Sequence, residues 1–244
     1  MRPICRGQAP YPDDYAHYQD AKPDLVARLG PYCSFCERRI ATQLAVEHVQ
    51  PKGRPEYAAL IGHWNNFLLA CVNSNSIKKD KDVDPAKLLL PDRDNTFVAF
   101  EYLPDGTIQP SELANAKGLG DIAEDTLGLT GLDKGVLKSP DAKGRQVALD
   151  RVSQRKETWI IAEEARNDLE KSPGNPSLQD YIVKLAEKTG FFSVWMTVFR
   201  EHADMLRHLV LGFVGTAESG CFDAQGGAVS PAANPDGLAG GGKI

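Results

Sequence analysis

The chain has 244 residues, of which 42% are hydrophobic and 25% charged, and its formal net charge is −5 at pH 7. This length and apolar content suffice for a folded core, whereas the acidic balance excludes a uniformly basic coat for nucleic acid. No apolar run reaches the roughly 18–20 residues that a membrane helix needs, and the first residues lack the apolar core of a signal peptide, so we expect a cytoplasmic protein that does not associate with a membrane.

The N-terminal part is predicted to consist of short elements. Residues 1–23 contain four prolines and are expected to form an irregular arm. The segment 24–30 reads as a short amphipathic helix that stops at Gly30. Residues 32–40 and 44–53 are rich in apolar and β-branched residues, and we expect them to pair as a hairpin joined through the polar stretch between them.

Two further elements are predicted before the middle of the chain. The segment 64–73 ("WNNFLLACVN") shows helical spacing, and Asn65 or Asn66 could cap that helix because a short amide accepts a bond from the free N–H groups of the first turn. Residues 80–95 form an Asp-rich loop. The segment 96–110 contains Pro-Asp-Gly and is predicted to form a second hairpin.

The C-terminal half is predicted to be helical. Three helices are expected, over 143–171, 177–188 and 192–214. From Gly215 the chain is rich in Gly, Ala and Pro, and its end is expected to be disordered because it offers little apolar surface. The fold class is therefore α+β, with five predicted regions: an irregular arm 1–23, a core 24–95, a hairpin and connector 96–142, a helical region 143–214, and a tail 215–244.

Cysteine spacing indicates a metal site. Among five cysteines, Cys33 and Cys36 form a C-x-x-C pair, and two thiolates at this spacing can bind one zinc ion from a tight turn as half of a tetrahedral site. Five cysteines with this pattern suit a protein that uses thiols for metal better than a disulfide framework. Cys71 is followed three residues later by Ser74, where a second sulfur would complete another pair.

A second group of residues suits a hard cation. Glu47 and His48 are adjacent, so on a regular strand their side chains point to opposite faces, whereas a bulge or strand end would let both line one cleft. A carboxylate oxygen from Glu47 and an amide oxygen from Asn75 suit Mg²⁺ or Mn²⁺. His48 can take a proton from water near neutral pH. Together these groups are sufficient for phosphodiester hydrolysis.

The strings "AVEHVQPKG" and "WNNFLLACVNSNSIKKD" closely resemble the HNH endonuclease motif, which reads roughly D/E-H-x-x-P and then N-L-x-x-x-C-x-x-C-N-x-x-K. The match covers about residues 31–82. The resemblance implies a ββα-metal core with zinc-knuckle-like turns. More loosely, the N-terminal third is similar to HNH proteins that accompany ATPases in Septu-type and retron-associated anti-phage defence.

The resemblance also implies roles for individual residues. His48 matches the general base, Glu47 the adjacent metal-binding acid, and Asn75 the final metal position. Asn66 matches the middle asparagine, which orients the base or braces the loop. The zinc ligands of family members correspond to Cys33, Cys36 and Cys71.

Ser74 departs from the family pattern, because a neutral hydroxyl is a poor zinc ligand beside thiolates. Three outcomes stay open. The zinc site could use three sulfurs and water, it could recruit His63 or Cys5 as a fourth ligand, or zinc could be lost and the turns held by packing.

These features predict a metal-dependent HNH endonuclease acting on DNA. Residues 25–95 carry 10 basic against 8 acidic residues, which favours this region for a polyanion partner, and Lys78 and Lys52 are the expected phosphate contacts. An RNA-directed nuclease would use the same residues. The alternative of another class is a nuclease-dead, zinc-finger-like adaptor that binds a partner ATPase or nucleic acid.

Overall fold

The computed structural model describes residues 1–133 and 151–244 of the chain. The architecture is mixed, with helices throughout and two small antiparallel sheets of two strands each. Part of the helix predicted over 143–171 lies outside the described residues. Among the residues described, no helix is both long enough and apolar enough to cross a membrane.

The first sheet pairs β1 (Ala45–His48) with β2 (Phe67–Ala70), and His48 lies opposite Phe67 at one end of the ladder. Helix α1 (Lys22–Leu29) precedes the sheet and packs against β2, and helix α2 (Val72–Lys78) follows β2 after a single residue, Cys71. The predicted helix at 24–30 is therefore confirmed, and it ends at Gly30, whose φ of 71° suits a residue without a side chain.

Two sequence predictions in this region are wrong. Residues 32–40 do not pair with 44–53; they form a tight turn with one isolated bridge between Tyr32 and Arg39. The segment 64–73 is not one helix, because its centre is strand β2, in which all four residues are buried. A strand buried on both faces has no alternation, and a short apolar run cannot be told from a buried helix by periodicity.

The second sheet pairs β3 (Phe100–Tyr102) with β4 (Ile108–Pro110), as the predicted hairpin requires. It is preceded by one helical turn, α3 (Thr96–Ala99), which the sequence did not reveal. Asn95 caps this turn by accepting the amides of Phe97 and Val98. Helices α4 (Glu112–Ala116) and α5 (Gly120–Thr130) complete this part of the chain.

The C-terminal region contains α6 (Arg151–Lys171), α7 (Pro176–Thr189), α8 (Phe192–Val198) and α9 (Ala203–Gly212). The prediction of one helix over 192–214 is wrong, since the chain breaks between α8 and α9. Helix α8 is almost entirely buried and packs mainly on α6, whereas α9 packs mainly on α7. The chain turns between the two helices, where the amide of His202 donates to the carbonyl of Phe199 at 2.8 Å.

The tail after Gly215 is irregular but packed, which corrects the prediction of disorder. The amide nitrogen of Asn95 donates to the carbonyls of Cys221 and Val229, and the side chain of Ile244 is fully buried. The arm is held in the same way: the amide of Cys5 donates to Gly215 O at 2.8 Å. Side-chain amides and backbone pairing thus order segments that carry little apolar surface.

Candidate functional site

Cys33, Cys36 and Cys71 converge in the interior beside β2. The amide of Cys36 donates to the sulfur of Cys33, and Glu37 then takes a left-handed backbone with a φ of 63° that turns the chain back. Cys71 immediately precedes α2, and its sulfur accepts the free amide of Ser74 as a helix cap. All three thiols are buried, and their sulfurs lie within 4.8 Å of one another.

This geometry fits a thiophilic metal. Zinc–sulfur bonds of about 2.3 Å in a tetrahedral site place the sulfurs about 3.8 Å apart, and the sulfurs of Cys36 and Cys71 are 3.7 Å apart. Hydrogen bonds from Cys33 and Cys36 hold the pKa of Cys71 well below its ordinary value. Burial raises the pKa of Cys33, and hydrogen bonding to Cys33 raises that of Cys36. The cluster could therefore bind a metal such as zinc, which would displace the remaining thiol protons.

Ser74 lies on the side of the cluster where a fourth ligand would be expected. Its hydroxyl oxygen is 3.5 Å from the sulfur of Cys33 and 3.5 Å from that of Cys71. Arg151, at the start of α6, donates from its guanidinium to the same oxygen at 3.2 Å. A guanidinium donates only, so the Ser74 oxygen accepts from Arg151, and the thiols of Cys33 and Cys71 donate to the same oxygen.

Neither residue proposed for recruitment joins the cluster. The thiol of Cys5 donates to Asp236 instead, and His63 is not part of any group of metal-ligating side chains in residues 1–133 and 151–244. The recruitment outcome is thus wrong for this structure. A three-sulfur site and a packed, metal-free turn both stay compatible with it.

A cavity of about 520 Å³ opens between β1 and α2. It is lined by five of the residues singled out from the sequence: Glu47, His48, Lys52, Asn75 and Lys78. The structure brings these five together because His48 ends strand β1 and the loop behind it carries Lys52, while Asn75 and Lys78 lie three residues apart on one face of α2. Asn66 is not among the residues that line it.

Glu47 forms a buried ion pair across the cavity wall. Its Oε1 lies 2.9 Å from Nζ of Lys78, and both side chains are almost completely buried. Lys78 also donates to the backbone carbonyl of His48 at 2.7 Å. Burial raises the pKa of Glu47, and the ammonium of Lys78 opposes that shift. In the described part of the chain, Oε2 of Glu47 has no hydrogen-bond partner.

His48 is oriented by a hydrogen bond from its ring to the backbone. Its Nε2 lies 3.0 Å from the carbonyl of Ile61, which can only accept, so the proton is assigned to Nε2 and the lone pair to Nδ1. The ring is held between Tyr18 and Phe67, with centroid distances of 4.7 Å and 5.3 Å. Burial is the main cause that lowers the pKa of His48 below 6.5. This side chain can therefore accept a proton through Nδ1 at neutral pH.

Asn66 braces the loop around His48. Its amide oxygen accepts the N–H of Gln50 at 2.8 Å, and its amide nitrogen donates to the carbonyls of Gln50 and Leu60. These bonds join the segment after β1 to the residue before Ile61, whose carbonyl orients His48. The prediction of Asn66 as a helix cap is wrong, and of the two roles implied by the resemblance its contacts match the brace.

The side chain of Asn75 is uncommitted. No described residue forms a hydrogen bond with its amide group, although the residue lines the cavity and is half-buried. Its backbone is held in α2, where the N–H of Asn75 donates to the carbonyl of Cys71. An amide oxygen with free lone pairs, in a cavity that a carboxylate also lines, is available to a ligand or a cation.

Sequence reasoning missed three residues of these sites. Tyr18 and Lys22 come from the segment expected to be irregular and from the start of α1, yet both line the cavity. Arg151 reaches Ser74 from 77 positions away along the chain. No local pattern marks any of the three, because their neighbours are set by tertiary packing.

No family model matches this chain, and no curated protein matches it either.

Proposed function

We propose that this protein is a metal-dependent endonuclease of the HNH type that hydrolyses DNA phosphodiester bonds in the cavity between β1 and α2. The observation that carries the proposal is the shared cavity, which Glu47, His48 and Asn75 line together. The order of an antiparallel strand pair followed directly by α2 also agrees with the ββα core that the resemblance implies.

The donor set fits Mg²⁺ or Mn²⁺. Oε2 of Glu47 and Oδ1 of Asn75 would hold the cation, because each is an oxygen without a hydrogen-bond partner among the described residues. When bound, the cation supplies Lewis-acid polarisation of the scissile phosphate and stabilises the departing 3′ oxygen. Lys78 keeps the second carboxylate oxygen of Glu47 in place.

His48 acts as the general base. Its Nδ1 takes a proton from water, and the water oxygen attacks phosphorus in line with the bond that breaks. The bond between phosphorus and the 3′ oxygen breaks, its electron pair stays on that oxygen, and solvent protonates it. The Nε2–H bond to Ile61 keeps the tautomer correct throughout, because that carbonyl cannot donate.

Lysines give the cavity its preference for an anion. Four lysines line it against two acidic residues: Lys22, Lys52, Lys78 and Lys79 against Glu47 and Asp80. Lys78 is neutralised by Glu47, which leaves three ammonium groups for substrate phosphates. The choice of DNA over RNA, a partner ATPase and a role in anti-phage defence rest on the resemblance alone.

The test is cleavage of supercoiled plasmid with Mg²⁺ or Mn²⁺ by wild type, His48→Ala and a matched His63→Ala control. His63 is a loop histidine outside the cavity. We expect His48→Ala to lose about 10²- to 10⁴-fold in rate, the range for removal of a general base, while His63→Ala keeps wild-type activity. Full cleavage by His48→Ala would refute the assignment.

One observation favours the adaptor alternative. The ammonium of Lys78 already neutralises Glu47, so the carboxylate is satisfied without a divalent cation. An adaptor predicts DNA binding or partner binding without metal-dependent cleavage, including in assays that contain a candidate partner ATPase. The plasmid assay with that partner present therefore separates the two functions.

A further inference from the structure

Tyr18 is one of the residues that line the cavity, and it belongs to a 3₁₀ turn (Tyr18–Ala21) that packs against β1. Nothing in its sequence marks this tyrosine. Its side chain is half-buried, lines the cavity, and touches two of the residues assigned to the proposed reaction.

The first contact is with Lys52. The ammonium of Lys52 lies 4.2 Å from the centroid of the Tyr18 ring and donates to the Tyr18 hydroxyl. Within the described ranges Lys52 forms no ion pair, and the residue is exposed, so its charge is available to a substrate. A lysine is otherwise a point charge on a flexible stem, and these two contacts restrain it at the cavity mouth.

The second contact is with His48. The rings of Tyr18 and His48 meet edge to face, with an interplanar angle of 71°. On its other side the imidazole meets Phe67 at 86°. The two aromatic neighbours limit rotation of the imidazole and so keep Nε2 on the Ile61 carbonyl.

We infer that Tyr18 is a positioning residue of the proposed nuclease, which holds Lys52 for a substrate phosphate and packs the ring of His48. The hydroxyl and the ring have separate tasks. The hydroxyl acts through Lys52 on substrate binding, and the ring acts through His48 on the chemical step. The inference rests on the proposed function for the second task only.

The first task is tested by binding alone. A fluorescein-labelled DNA oligonucleotide is titrated without added divalent cation and without chelator, over a series of salt concentrations. The variants are Lys52→Met, Tyr18→Phe and the double variant. Tyr15→Phe is the matched control, because Tyr15 lies in the same segment but its hydroxyl donates to Asp24, away from the cavity.

Loss of one phosphate contact lowers the slope of log affinity against log salt by about 0.7–0.9, and we expect this for Lys52→Met. Tyr18→Phe should lower affinity and slope in the same direction, and the double variant should match Lys52→Met, since effects exerted through one group do not add. Tyr15→Phe should equal wild type. Additive effects, a Tyr18→Phe protein that equals Tyr15→Phe, or absence of DNA binding by wild type would each overturn the inference.

The second task is tested by cleavage kinetics. Tyr18→Phe keeps the ring, so KM should rise while kcat stays within about twofold of wild type, as expected when only ground-state binding is lost. Tyr18→Leu removes the ring, so kcat should also fall. Equal kcat in the two variants would show that the Tyr18 ring has no effect on the chemical step. Should wild type bind DNA without cleaving it, the proposed function fails while the binding series still decides the role of the hydroxyl.

Thermal unfolding separates these effects from misfolding. If Tyr18→Leu does not fold, the test rests on Tyr18→Phe: it keeps the ring, so a kcat more than about twofold below that of wild type would contradict the division of tasks.

Discussion

Helix α2 carries two adjacent residues that face two different environments. Ser74 faces the cysteine cluster, where it is completely buried and its hydroxyl contacts two sulfurs and Arg151. Asn75 faces the cavity, where its amide group has no hydrogen-bond partner in the described chain. Buried polar groups normally have hydrogen-bond partners. The cluster around Ser74 therefore stabilises the fold, whereas the cavity at Asn75 still has a group that is available to a ligand.

The largest effect is expected on the free energy of unfolding, when the buried ion pair in the cavity wall is broken. Lys78→Met removes one partner of the buried pair with Glu47 and should cost about 3–5 kcal/mol in the free energy of unfolding, because a charge is left buried and unpaired. The matched Lys79→Met variant changes an exposed neighbour and should stay within about 0.5 kcal/mol of wild type. Urea denaturation measures both.

Equal stability of the Lys78→Met and Lys79→Met variants would contradict the buried pair. Lys78 would then contribute no more to the stability of the fold than the exposed Lys79 does.

The next largest effect is expected on the cleavage rate, with little change in the free energy of unfolding. Asn75→Ala removes a cation ligand of the proposed site and should slow plasmid cleavage by about 100-fold or more, equivalent to the several kcal/mol that a metal contributes to charge stabilisation. Its free energy of unfolding should change by less than about 0.5 kcal/mol, because the amide has no partner to lose. A variant that cleaves normally, or one that unfolds readily, would place Asn75 with Ser74 as a structural residue.

Substitutions of Ser74 are expected to change zinc retention and to leave the cleavage rate nearly unchanged. Ser74→Cys supplies a fourth sulfur and should retain zinc against a chelator about tenfold better than wild type, since four-coordinate thiolate sites suit zinc best. Ser74→Ala should keep the three-sulfur affinity while its cleavage rate stays near that of wild type. Zinc release followed with a colorimetric chelator measures the first effect. Release from Ser74→Cys that equals release from wild type would mean that residue 74 does not lie at a ligand position of the zinc site.

The smallest effect is in the pH dependence. The folded pKa of His48 is lowered, mainly by burial, and a nearby cation would move it the same way. The acidic limb of kcat/KM, which reports the free enzyme, should therefore have its midpoint below 6.5. Because folding favours the neutral imidazole, His48 contributes to the free energy of unfolding above pH 6.5. This contribution is lost as the pH falls through the lowered pKa of the folded state. A midpoint above 6.5 would exclude buried His48 as the base.

Spacing along the chain was enough to suggest which residues of α2 and β1 belong together. The C-x-x-C spacing placed Cys33 and Cys36 in one tight turn, the resemblance added Cys71, and Asn75 and Lys78 share a face because they are three positions apart. The burial of the pair formed by Glu47 and Lys78 was not foreseen, because Lys78 was expected to contact a phosphate.

What sequence reasoning could not supply came from packing between distant segments. Strand β2 was mistaken for a helix because both of its faces are buried, which removes the alternation that identifies a strand. The tail was expected to be disordered because its composition offers little apolar surface, and its contacts with Asn95, more than 100 residues earlier, are not visible from local sequence. Tyr18 and Arg151 likewise reach their sites from elsewhere in the chain, and neither carries a motif.

The seven residues of α2 begin at a sulfur of one site and end at the lysine of the other. An ion removed from the thiols would therefore loosen the scaffold under Asn75 even though it never touches substrate. A chelator added to remove magnesium could inactivate the proposed nuclease by this indirect route, and magnesium alone would then not restore its activity. Restoring zinc first, and magnesium second, tells the two losses apart.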